Sequence, residues 1–131
     1  MATRSTISLK TKTGGKTIYC HWDGFPSNNG KILIEHYNTE DKVKALLELG
    51  DLSSLAPSCE KPVGHTFDNP IEGHCVSYGR DRGEDGVEGT KFENLPSRRE
   101  EWNYMFQDGK WLVAEDEKEF EPLTDEIIGR D

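Results

Sequence analysis

The chain has 131 residues, a length suited to one domain, with 33% hydrophobic residues and a net charge of −9. That charge argues against non-specific nucleic-acid binding, which needs a basic field, and no apolar run approaches the length of a membrane span. The imbalance is local: residues 1–50 carry seven Lys/Arg against five Asp/Glu (+2), and residues 51–131 carry nine against twenty (−11).

In chain order, Thr6–Thr13 alternates apolar or β-branched residues with polar ones, Gly14-Gly15 follows, and Lys16–Trp22 alternates again. Two such runs around a Gly pair predict a β-hairpin turning at the glycines. Ile7 and Leu9 then share one face; Ile18, Cys20 and Trp22 share a face of the second strand, with Tyr19 and His21 on the other. Residues 23–30 are turn-rich and read as a loop. Residues 31–37 fit a short helix or a buried strand, and helix is favoured because a second helix signal follows. There Thr39 can cap, Glu40 and Asp41 suit the first turn, Val43, Leu46 and Leu47 fall at helical spacing, and Gly50 ends the run. Residues 51–55 read as one further turn. Residues 56–74, with three prolines and two glycines, form a long irregular connection to a short strand at 75–78. Residues 85–89 continue as loop. Apolar runs at 102–106 and 110–113 around Asp108-Gly109 predict a second hairpin. Residues 113–131 hold eight acids and two bases, which predicts a solvated tail with a short helix after Thr124.

The densest chemistry lies at Tyr78–Asp85, where two arginines, two glycines and three carboxylates fall within eight positions. On an extended backbone Arg80 and Arg82 point the same way, and a pair of guanidinium forks suits a phosphate. The bland alternative is a surface turn in which both pair with Asp81, Glu84 or Asp85. Tyr19, His21 and Asp23 alternate, so an oriented His beside a carboxylate is one reading, and Tyr19 and Trp22 could stack on a base. Simple strand packing is the other. His36 falls at a helix C-terminus, where a cation is favourable for structural reasons alone. His65, His74, Cys59 and Cys75 match no zinc spacing, and neither a phosphate-loop signature nor a nucleophile elbow occurs, so no metal, cofactor or catalytic residue is assigned. The cysteines are odd in number, lack a Cys-x-x-Cys pair and follow no secretion signal; the expectation is three reduced thiols in a cytosolic protein.

Six segments together carry a resemblance: Arg4–Ile7, Tyr19–Gly24, Gly30–Leu33 with Glu35–Tyr37, Leu49–Leu55, Tyr78–Glu84 and Phe106–Trp111. In this order the chain resembles a group of small proteins encoded by tailed bacteriophages and prophages, over most of residues 4–112. The resemblance implies a protein made in the host cytoplasm, outside the virion, where such proteins often counter bacterial defence. Two routes are common: capture or destruction of a cyclic or ADP-ribose-type nucleotide signal, and occlusion of a defence protein.

The reading is an α+β fold with an N-terminal hairpin, a short helical pair and a C-terminal hairpin, globular over 1–114 and an acidic tail over 115–131. The expected function is sequestration of a phosphate-bearing nucleotide immune signal without turnover. Its ligand-binding residues are Tyr19, His21, Trp22, Asp23, His36, Tyr78, Arg80 and Arg82. The alternative is an anti-CRISPR-like inhibitor that binds a host defence protein through an acidic, nucleic-acid-mimicking surface. Hydrolysis of such a nucleotide and an accessory phage role outside defence rank behind these. A homo-oligomer is the expected assembly, with no direct nucleic-acid or membrane partner.

Overall fold

In the computed structural model, which describes residues 2–130, the alternating N-terminal run is a hairpin. Strand β1 (Ser5–Thr11) pairs antiparallel with β2 (Gly14–Cys20), and Ile7 faces Ile18. The turn falls at Lys12-Thr13, just ahead of the glycine pair expected to form it. The glycines serve a different need. A Cβ on Gly14 (φ +121°) would lie 2.5 Å from the Phe92 carbonyl oxygen, and one on Gly15 2.4 Å from the Phe92 ring. They let a later strand approach closely.

A π-helical turn, Pro26–Gly30, runs into α1 (Lys31–His36), and α2 (Glu40–Glu48) follows. The Thr39 hydroxyl accepts from the Lys42 amide at 3.3 Å, with Glu40 and Asp41 in the first turn, as the capping signal predicts. Gly50 ends the helical run at φ +73°. Residues 52–54 are then strand β3 (Leu52–Ser54) instead of another helical turn. Leu52 lies beside Cys20, and the backbone pairs with β2 on one side and with β4 (Val76–Ser77) on the other. Sheet pairing overrides the local helical signal here. A short strand β5 (Thr90–Phe92), in a stretch with no alternation, lies on the same edge of β2. The second predicted hairpin is β6 (Trp102–Gln107) and β7 (Lys110–Glu115), turning at Asp108 and Gly109 with φ of 53° and 76°.

These strands form one mixed sheet in the order β4-β3-β2-β1-β6-β7, with β1 and β6 parallel. One face carries Ile7, Leu9, Ile18, Cys20, Leu52, Tyr104, Phe106 and Val113 and is closed by Leu33, Val43, Leu46 and Leu47 of the helices. The other face is polar. Thr6 donates to Asn103 at 2.8 Å, and Ser8 and Thr17 hydroxyls meet at 2.7 Å. Segment 93–101 crosses this face, where Pro96 is buried and the Arg98 guanidinium lies 4.6 Å above the Tyr19 ring. The α+β class is as expected.

The acidic end departs from the expected solvated tail. Strand β8 (Glu121–Pro122) pairs with β7, and α3 (Asp125–Arg130) follows the cap at Thr124. Leu123 and Ile127, each 8% exposed, join the main core. Spaced four apart, they put their apolar surface on one side while the acids face water, a pattern that mean composition hides.

Candidate functional site: an aromatic and arginine face

After β4 the chain does not stay extended. The Asp81 amide donates to Ser77 O at 3.2 Å and the Gly83 amide to Gly79 O at 2.8 Å. This helical turn sends Arg80 and Arg82 in different directions, which corrects the expectation that both forks share a face.

Arg80 points inward. Its Nε donates to Asp81 Oδ1 at 2.9 Å, Nη2 to Asp81 Oδ2 at 3.1 Å and to Cys75 O at 3.0 Å, and Nη1 to Cys59 O at 2.6 Å. The Asp81 side chain has no solvent exposure and also accepts from the Ser77 amide at 2.8 Å. Burial alone would raise this carboxyl, but the Arg80 bonds, the Ser77 amide and nearby charge outweigh it and hold it below the usual carboxylate range. His65, also buried, completes the knot. The Ile71 amide donates to Nδ1 at 2.9 Å, so the proton sits on Nε2, which faces Cys75 O at 3.1 Å and Asp81 at 3.3 Å. The Arg80 fork is therefore spent on internal acceptors that hold the irregular 56–81 segment together.

Arg82 points outward. Its guanidinium lies 4.9 Å over the Phe67 ring and 3.7 Å from Glu84. Phe67 in turn packs on Tyr78, with centroids 5.6 Å apart and the rings tilted by 35°. A cleft of about 340 Å³ lined by Thr66, Phe67, Asp68, Asp81 and Arg82 opens beside this stack.

A second stack lies along β2 and the residues after it. Tyr19 Oη and His21 Nδ1 are 2.6 Å apart, and the His21 ring meets Trp22 edge-on at 4.6 Å. Trp22 is 45% exposed, because the strand ends at Cys20 and Trp22 turns away from the core face assigned to it. Burial raises the Tyr19 phenol, and Arg4, Glu100, Tyr78 and Arg98 lie near enough to bear on it. The Tyr19 stack lies on the sheet face away from α1 and α2, since Tyr19 alternates with the buried Ile18 and Cys20.

Of the predicted site residues, the fold brings Tyr19, His21 and Trp22 into one stack and Tyr78 and Arg82, through Phe67, into another. Asp23 sits in the following turn at φ 56°, its carbonyl accepting from Asn28 at 3.2 Å. His36 lies exposed at the end of α1, across the sheet from Tyr19. Phe67 and Arg98 were not anticipated. Each stands in an irregular segment without periodicity, so no local pattern marks it. Among the described residues, no group of three or more His, Cys, Asp or Glu is placed to hold a metal ion, and no helix is long and apolar enough to cross a membrane. No protein-family model matches the chain, and no curated protein or solved structure matches it.

Proposed function

We propose that the chain binds a small phosphate-bearing nucleotide on this face and holds it without turnover. In the setting implied by the phage-protein resemblance, it acts as an inhibitor of bacterial defence that sequesters a nucleotide signal. One observation carries the reading: the fold builds two aromatic stacks, each topped by an arginine. Exposed aromatic rings stack on any base, and a guanidinium takes phosphate oxygens in a bidentate fork. Arg82 and Arg98 supply that fork in place of Arg80, whose donors are engaged.

Occlusion of a host protein through an acidic surface is favoured by a separate feature. Glu48, Glu84 and Glu88 line a cleft of about 380 Å³ between α2 and the loop after β4. One experiment separates the readings. The pure protein is incubated with cyclic and ADP-ribose-type nucleotides, and the mixture is chromatographed before and after heat denaturation. Depletion followed by release of intact ligand supports sequestration. Loss without release indicates hydrolysis, and no depletion moves the weight to a protein target.

A further inference from the structure

Cys59 and Cys75 stand one position beyond a parallel bridge in which Ser58 faces His74. The Ser58 amide donates to Gly73 O at 3.1 Å and the Cys75 amide to Ser58 O at 2.8 Å, so the two short runs are in register. Neighbouring strands lie ~4.8 Å apart, inside the Cα separation of ~4.4–6.8 Å that a disulfide spans. Cys75 Sγ is 3.5 Å from the Tyr37 hydroxyl. Arg80 bridges the carbonyls of Cys59 and Cys75 and so fixes their backbones. Cys20 lies apart, its Sγ held by Asn29 at 3.5 Å and facing the Trp22 carbonyl at 3.7 Å. All three are free thiols.

We propose that Cys59 and Cys75 form an oxidant-responsive pair that closes to a disulfide when the protein meets a peroxide. Cys59 is half-buried and Cys75 is buried, so Cys59 reacts first. Its thiolate attacks one peroxide oxygen, the O–O bond breaks, and the departing hydroxide takes up the Cys59 proton as water. The Cys75 thiol then attacks the sulfenic sulfur. The S–S bond forms, the S–O bond breaks, and a second water leaves with the Cys75 proton. Two thiols are oxidised and one peroxide is reduced to two waters. Burial pushes the Cys75 thiol up, which keeps it from meeting the oxidant first. The closed bridge would cinch residues 60–74, the segment that carries His65 and Phe67, and so couple oxidation to the rigidity of the Phe67–Tyr78 stack.

The test treats the reduced, folded, full chain with hydrogen peroxide and maps it by non-reducing peptide mass spectrometry. The expected result is a Cys59–Cys75 linked peptide, a mass loss of two hydrogens, a Cys20 thiol left free, and full reversal by a thiol reductant. In Cys75→Ser, a Cys59 sulfenic acid should accumulate and be trapped by a dione reagent. Oxidation of Cys59 to sulfinic acid while Cys75 stays free overturns the proposal, as does a link that forms only in denaturant.

Discussion

Replacing Arg80 with Ala removes the partner of a carboxylate whose side chain has no solvent exposure. Breaking a buried pair in this way costs about 3–5 kcal/mol, because the remaining charge is stranded. Urea unfolding of Arg80→Ala should show that loss. Arg82 is half exposed and its Glu84 contact is long, so Arg82→Ala should change stability by less than about 1 kcal/mol. Asp81 adds a pH signature. Its folded pKa is depressed, so its contribution is fully present above the unfolded value of about 3.9 and is lost as pH falls through the folded value. Asp81→Asn should flatten the acid limb of a stability–pH curve measured by denaturant titration. An unchanged acid limb would contradict the assignment. Asp51 works in the opposite sense. Burial raises its carboxyl although it accepts from the Tyr19 amide at 2.9 Å, so its ionisation costs stability as pH rises above the unfolded value.

At the scale of elements, the C-terminal segment behaves as part of the domain. Leu123 and Ile127 pack into the same cluster as Tyr104 and Val113, and the Leu123 amide donates to Trp111 O at 3.0 Å. Leu123→Ala should cost about 2–5 kcal/mol, and ending the chain near residue 114 should cost at least as much. A thermal melt of the truncated chain that overlays the full-length curve would show that β8 and α3 contribute nothing. The β6–β7 turn gives a sharper local test: Gly109→Ala forces a Cβ into φ 76° and should destabilise by about 1–2 kcal/mol. The first hairpin was legible in the period-two alternation of its strands, and the second in the Asp108-Gly109 turn between two apolar runs. Segment 56–81 was not, since its order comes from Arg80 and His65 bonding carbonyls and amides far along the chain. The Arg80–Arg82 pairing failed for the same reason: the spacing argument assumed an extended backbone, and the Ser77 and Gly79 carbonyls close a turn there.

Across the whole molecule, the −9 charge and the arginine-bearing face impose different salt responses. A nucleotide held by stacking and close guanidinium contacts should lose affinity only modestly between low and physiological salt, because short-range contacts are weakly screened. A basic partner drawn to the acidic half would be lost steeply over the same range. Of the site, the aromatic members near Tyr19 could be read from the sequence, whereas Phe67 and Arg98 enter only when segments distant in the chain fold against the stacks. The most direct test of the central claim is nucleotide retention by the pure protein, measured for wild type, Arg82→Ala and Trp22→Ala. Wild type should deplete a phosphate-bearing nucleotide and release it intact on heating. Arg82→Ala should bind about 10–100-fold more weakly while keeping its melting temperature, and Trp22→Ala should weaken by about 1–3 kcal/mol. Retention undiminished in both variants, or no retention of any nucleotide by wild type, would contradict a nucleotide site on this face.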